Sequence, residues 1–325
     1  MSNITSLKDK FEGCVVGAAI GDALGMPTES ISRNEHILFY GGRVEEFRKA
    51  LSRHPCAHLK EGQYTDDTQQ FQILGNSLVK HTGFNFEDFA KEIGNWGYRC
   101  KLKPGYDRFS GSTSLFAALD IHHGKNPRNT GRESPSCGAA MRAAPIGLFY
   151  FDDPAAIERF AREASILTHI HPTAVDSAVY VSRFISRLLK GSEPNEAAQK
   201  SLIGLDKKLS ANLSYVISNS NETPQKIAEV IGASQAANET VPMAVSCFLH
   251  SPNDFKNVIV EAANLVPGDT DSIACIAGAF AGAYNGYQKI PAQFKEGLEE
   301  EPQLRELAAN LLEKSLTSSN QRRQS

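Results

Sequence analysis

Glycine recurs every fourth residue, at 13, 17, 21 and 25, in FEGCVVGAAIGDALGMPTE. No other feature limits the fold as strongly. In a helix these positions share one face. Each glycine costs a helix interior about 1 kcal/mol relative to alanine, so four of them need compensation. A face without side chains supplies it, because another backbone can approach closely. Asp22 adjoins that face among Val15, Val16, Ala18, Ala19 and Leu24. A carboxylate in such a setting needs a partner, since an unpaired buried charge is costly. Asp22 either bonds a neighbouring backbone or orients something in a nearby site.

A second glycine series, Gly278, Gly282 and Gly286, runs through LVPGDTDSIACIAGAFAGAYNG, beside the apolar face of Ile273, Ala277, Phe280, Ala281 and Tyr284. Helical periodicity dominates the rest. TAVDSAVYVSRFISRLLKG puts Val175, Val179, Phe184, Ile185 and Leu188 on one face, with Gly191 as a stop. ETPQKIAEVIG offers Thr223 and Pro224 as a helix start, and SPNDFKNVIVEAANL offers Ser251 and Pro252. PQLRELAANLLEKSL carries Leu304, Leu307, Leu311 and Leu312 as a stripe. HILFY (36–40) and GLFYF (147–151) fit a strand or a helix. No linker or internal repeat divides the chain. The expectation is a compact, all-α single domain of ten or more helices over residues 1–316. The polar TSSNQRRQS, residues 317–325, is expected to fray into a disordered tail.

The 325 residues are 41% hydrophobic with a net charge of −3 and no basic tract. That excludes nucleic-acid binding driven by phosphate contacts. Six cysteines are scattered without a CxxC pair, a poor zinc or disulfide framework that suits a reducing cytosol. The polar MSNITSLKDKFEG lacks a signal-peptide core. Ile273 to Tyr284 is too short to span a bilayer. A soluble cytoplasmic protein with no membrane partner is expected.

YTDDTQQ sets Asp66 and Asp67 between Thr65 and Thr68, ahead of the stripe Phe71, Leu74 and Leu78. Alone, these acids read as first-turn caps that complement a helix dipole. Two hundred residues on, Asp269, Thr270, Asp271 and Ser272 again place two carboxylates and two hydroxyls at a loop-to-helix start. Brought together, four carboxylates would repel strongly without cations. Hard divalent ions favour such oxygen ligands and need no His or Cys. A pair of them could share the acids and hold one water. The isoprenoid-synthase pattern DDxxD fails, because Asp66-Asp67-Thr68-Gln69-Gln70 lacks the third acid.

GCVVGAAIGDALGMPTE, YTDDT and GDTDSIA, in this order, resemble the ADP-ribosylglycohydrolase family, which includes the dinitrogenase-reductase activating glycohydrolase and the ADP-ribosylhydrolases of animals. SCGAAMRAAPIGLF looks like the family's phosphate-loop segment and LTHIHPTAVDSA like its following helix. The resemblance runs from about residue 11 to residue 287. It implies an all-α fold with two Mg²⁺ or Mn²⁺ ions in a binuclear cleft. By motif position the implied metal ligands are Thr65, Asp66, Asp67, Asp269, Asp271 and Ser272. Glu29 matches an acid in a mobile loop beside the metals, and Asp22 a supporting carboxylate. Three positions depart from the common pattern. Pro267 stands before Gly268-Asp269 where many relatives have glycine, Ser272 replaces a threonine, and Cys137 replaces an asparagine.

The implied reaction is hydrolysis at C1 of the distal ribose, releasing ADP-ribose from an ADP-ribosylated protein or a small conjugate. Asp66, Asp67 and Glu29 are the candidates for taking a proton from water. Backbone N–H groups of Ser134, Ser136, Cys137 and Gly138 are expected to cradle the diphosphate at a helix start. Gly111 and Ser112 make a similar offer, and His169 matches a histidine near the phosphates. His171 reads as structural. Asp107, in PGYDRFSGST, would either face the guanidinium of ADP-ribosyl-arginine or serve as a turn residue. Hydrolysis of serine-linked or O-acetyl ADP-ribose stays open, as does a non-catalytic ADP-ribose-binding or crystallin-like role. A monomer is expected.

Overall fold

The computed structural model describes residues 2–324, which form sixteen α-helices and no strand. The first eight are α1 (Ser2–Gly25), α2 (Arg33–Tyr40), α3 (Asp66–His81), α4 (Phe86–Leu102), α5 (Ser112–His122), α6 (Ala144–Phe149), α7 (Pro154–Ser165) and α8 (Pro172–Leu189). The second eight are α9 (Pro194–Lys200), α10 (Lys207–Ser218), α11 (Pro224–Ile231), α12 (Ala237–His250), α13 (Phe255–Ala263), α14 (Thr270–Asn285), α15 (Ala292–Gly297) and α16 (Glu301–Gln324).

The glycine faces of α1 and α14 pack against each other. A Cβ at Gly21 would lie 1.9 Å from Ala274 O, one at Gly17 2.5 Å from Gly278 O, and one at Gly282 1.9 Å from Gly13 O. No side chain fits such a seam, which accounts for the four-residue spacing in both helices. Gly286 ends α14 at φ +83° and continues the close approach: a Cβ at Gly13 would lie 2.7 Å from its carbonyl carbon. Around the seam, Phe184, Phe248 and Phe280 from α8, α12 and α14 pack edge-on or tilted at 4.7–6.2 Å between centroids.

Caps settle the ambiguous segments. HILFY lies in α2, where Ser32 and Glu35 form a reciprocal capping box and Gly41 closes the helix at φ +74°. GLFYF overlaps α6, with Pro145 in its first turn. The start expected at Ser251-Pro252 is corrected. Ser251 ends α12, and α13 begins at Phe255, where Asp254 accepts from Asn257 N–H at 3.0 Å. The tail is corrected too. Residues 317–324 continue α16, with Ser318 and Ser319 buried and Ser319 Oγ 3.0 Å from Asp152 Oδ1. Ser325 lies outside the described residues. Among the described residues no helix is long and apolar enough to cross a membrane.

Candidate active site

The seam fixes where three acid-bearing segments meet. Asp22 follows Gly21 and projects to the start of α3. Its Oδ1 accepts from Thr65 N–H at 2.9 Å, and its Oδ2 accepts from Thr68 N–H at 3.0 Å and the Thr68 hydroxyl at 2.6 Å. Thr65 Oγ1 accepts from Asp67 N–H at 3.2 Å. Asp22 and Thr65 thus satisfy first-turn donors that a helix leaves unpaired. Asp66 and Asp67 are not needed as caps, and both side chains turn into a cavity of about 230 Å³. At the other end of the seam Gly25 touches Thr270, and Thr28 pins the exit with its hydroxyl 2.6 Å from Ala263 O and 3.1 Å from Thr270 Oγ1. The next residue is Glu29.

The two acid clusters meet. Ser272 Oγ donates to Asp67 Oδ2 at 2.7 Å, across 205 residues of sequence. One ligand oxygen each from Glu29, Asp269 and Asp271 falls within 4.8 Å of the others. Thr240 Oγ1 and Cys137 Sγ both donate to Asp269 Oδ2 at 3.0 Å, and Gln70 Nε2 donates to Asp66 Oδ2 at 2.7 Å. All five acids line the one cavity, and no Lys or Arg among the described residues does.

Two unit charges at 4.8 Å repel by about 3 kcal/mol at an effective dielectric of 20. Burial comes first and neighbouring negative charge second in pushing Glu29, Asp66, Asp67 and Asp271 well above the usual carboxylate range. Burial raises Asp269 as well, against the donors that hold it. Glu29 Oε2 is out of solvent with no hydrogen-bond partner among the described residues. An all-oxygen donor set and no lining cation among the described residues fit a hard divalent ion.

The far side of the cavity carries hydroxyls. Residues 132–138 are laced between 168–170 and 235–237: Arg132 N–H donates to Thr168 O, Cys137 N–H to Gln235 O, and Ala237 N–H to Pro135 O, all at 2.8–2.9 Å. Of the four N–H groups expected to cradle the diphosphate, those of Ser134, Ser136 and Cys137 are taken up within the protein, and that of Gly138 is not. Ser134 N–H bonds Arg132 O, Ser136 N–H reaches Ser134 Oγ, and Cys137 N–H is spent on Gln235. The turn at Cys137–Ala139 is only three residues long. Side chains face the cavity instead. Ser136 Oγ lies 2.9 Å from His169 Nε2, and a Cβ at Gly138 would sit 2.8 Å from His169 Cε1 and 2.9 Å from Ser114 Oγ. Gly111, Ser112, Thr113 and Ser114, the start of α5, line the same wall.

Three sequence candidates do not line the cavity: Thr65, Asp107 and Ser134. Thr65 lies directly behind Asp67. Ser134 Oγ touches Ser136 Oγ at 3.0 Å. Asp107 Oδ1 accepts from Ser110 N–H at 3.0 Å and Ser110 Oγ at 2.8 Å, so it closes a turn around Phe109, a cavity residue at φ +70°. His171 caps α8 through Thr173 N–H at 3.2 Å. Sequence reasoning missed Gln70, Ser114, Arg142, Thr168 and Thr240. Arg142 had a signal, as the one charge in CGAAMRAAPIGLFYF. Gln70 follows Asp66 by one helical turn, and Thr168 adjoins His169.

The ADP-ribosylglycohydrolase family pattern matches residues 3–321. An uncharacterized protein of Archaeoglobus fulgidus is 34% identical over 94% of this chain and 97% of its own. The ADP-ribosylarginine hydrolase Tri1 of Serratia proteamaculans is 27% identical over 93% of this chain and 79% of its own. A solved structure titled ADP-ribosylglycohydrolase-related protein complex superposes with a TM-score of 0.79 at 25% identity, covering 96% of this chain and 99% of that one. With its glycine seam, its meeting acid clusters and a match across nearly its whole length, the chain belongs to the ADP-ribosylglycohydrolase family.

Proposed function

We propose that this chain hydrolyses the glycosidic bond between ADP-ribose and an arginine side chain. One observation carries the reading: carboxylates and hydroxyls face each other across one cavity that no Lys or Arg among the described residues lines. The acids suit a cation-assisted ribose site, and the hydroxyls suit a diphosphate. The name of the Serratia relative supports arginine as the linkage.

Two Mg²⁺ or Mn²⁺ ions, held by Asp66, Asp67, Asp269, Asp271 and Ser272 with Thr65 bracing Asp67 from behind, would supply Lewis-acid grip on the ribose hydroxyls and a water of lowered pKa. The residues of the chain do the rest. Asp66 is tied by Gln70 and Asp67 by Ser272, whereas Glu29 Oε2 has no partner among the described residues. Glu29 is therefore the group we assign to take the proton as water bonds to C1 and the C1–N bond breaks. The departing guanidine takes up a proton and leaves as the free side chain. Ser112, Ser114 and Ser136, with the first turn of α5, donate to the diphosphate oxygens. Asp107 holds the turn that sets Phe109 and Ser110 against the cavity, and the guanidinium would lie beside that turn. Six buried free cysteines support a reducing, cytoplasmic setting. The acting unit is a monomer, and its partners are ADP-ribosylated proteins.

The test is release of ADP-ribose from arginine-linked, serine-linked and O-acetyl substrates, with Mg²⁺ or Mn²⁺ and after chelation. Release from the arginine-linked substrate that stops on chelation is the expected result. Release from another linkage alone would move the substrate class. No release from any of them would end the hydrolase reading.

A further inference from the structure

Arg142 is fully buried, yet each of its side-chain hydrogen bonds goes to a neutral group. Nη1 donates to Gln70 Oε1 and Nη2 to Thr168 Oγ1. Each partner leads on to one side of the cavity. Gln70 Nε2 donates to Asp66 Oδ2 at 2.7 Å. Thr168 Oγ1 lies 2.8 Å from His169 Nδ1, and His169 Nε2 lies 2.9 Å from Ser136 Oγ. One continuous chain joins the acid cluster to the hydroxyl wall.

A guanidinium has five donors and no acceptor, and it keeps its charge. That sets the direction of both bonds it makes. Gln70 must turn its carbonyl oxygen to Arg142, which leaves its amide N–H for Asp66. Thr168 Oγ1 must accept from Arg142, and His169 Nδ1 is the one acceptor its own proton meets among the described residues, so the proton goes there. That nitrogen then carries no proton. The ring is neutral, because burial, followed by the Arg142 charge, lowers its pKa to about 3. Nε2 therefore bears the hydrogen and donates to Ser136 Oγ. Ser136 keeps its own proton to give, either to Ser134 Oγ at 3.0 Å or to an anionic oxygen in the cavity it lines.

We infer that Arg142 is a positioning residue that sets hydrogen-bond direction on both sides of the cavity. Through Gln70 it fixes a donor on Asp66, and through Thr168 it holds His169 as the Nε2–H tautomer and makes Ser136 a donor to a bound anion. Only the identity of that anion, the diphosphate of ADP-ribose, rests on the function proposed above. A purely structural Arg142, packed 5.8 Å from the centroid of the Phe89 ring, would have no reason to dictate a tautomer.

Nitrogen-15 NMR of histidine-labelled protein reads the tautomer directly. In the unmodified protein near neutral pH, His169 is to appear neutral and protonated at Nε2. Thr168→Val keeps the shape and removes the relaying hydroxyl. It is to release the tautomer preference and weaken ADP-ribose binding roughly threefold to tenfold, the weight of one neutral hydrogen bond. Mn²⁺ affinity, read by calorimetry, should stay the same. Thr168→Ser is to restore both tautomer and affinity. Arg142→Met is to disturb the tautomer and Mn²⁺ affinity together; if it fails to fold, Thr168→Val still decides. A His169 protonated at Nδ1, a cationic His169, or a tautomer unmoved by Thr168→Val would overturn the inference. If ADP-ribose does not bind the unmodified protein, the proposed function fails while the tautomer result still stands for or against Arg142.

Discussion

On one side of the cavity, Asp66, Asp67, Asp269 and Asp271 crowd with Glu29, and every one of them is raised by burial. On the other side, Thr168, His169, Ser136 and Ser134 are hydrogen-bonded in series, with the Arg142 guanidinium donating at the head. Both sides are assembled from loop-to-helix junctions. The acid side holds groups that oppose each other until positive charge arrives, whereas the hydroxyl side is hydrogen-bonded without any added ion. Stability should therefore respond to cations through the first side, and affinity for the diphosphate should depend on the second.

The largest effect expected is on turnover. Asp66→Asn or Asp271→Asn should lower it by about a thousandfold, with the helical circular dichroism signal retained. Turnover at the unmodified rate with the same metal dependence would remove the acid side from the chemistry. Next comes stability against pH. The raised carboxylates bind protons in the folded state at pH values where the unfolded chain, titrating near pH 4, has lost them. Stability of the metal-free protein is then greatest near and below that value and falls as pH rises through the raised ones. Thermal scans should show the melting temperature falling by about 2 °C or more over this range. Mn²⁺ should remove the fall, and Asp67→Asn should flatten it. A metal-free protein that gains stability as pH rises there would contradict the crowding.

Smaller effects separate the two sides further. Thr240→Val deletes one of two donors that hold Asp269 Oδ2. Mn²⁺ affinity should drop about tenfold, as for other groups that orient a metal ligand, with ADP-ribose affinity in the metal-loaded protein falling less. Ser136→Ala should do the reverse, weakening ADP-ribose binding about fivefold while Mn²⁺ titrates as before. Equal losses in both titrations for either variant would mean that the two sides are not independent.

The sequence carried the parts of this account that depend on periodicity. The glycine series announced a close helix pair, although only the structure joins Gly17 to Gly278 and Gly21 to Ala274. Asp22 was legible as a carboxylate that needs a partner, and Thr65 and Thr68 proved to be that partner. What stayed hidden depends on tertiary packing. Ser136 and Cys137 looked like free backbone donors because nothing local shows that Gln235 and Ser134 take their N–H groups. Polar residues 317–324 looked frayed, yet Ser318 and Ser319 are buried on α16. Thr240 and Gln70 carry no motif of their own; they matter because of the acids they touch.

Calorimetric titration of metal-free protein with Mn²⁺ tests the central claim most directly, because it counts what the acid side was built to hold. Two ions per chain should bind the unmodified protein, and the double variant Asp67→Asn, Asp271→Asn should lose both. No binding to the unmodified chain, or the same two ions on the double variant, would contradict the account.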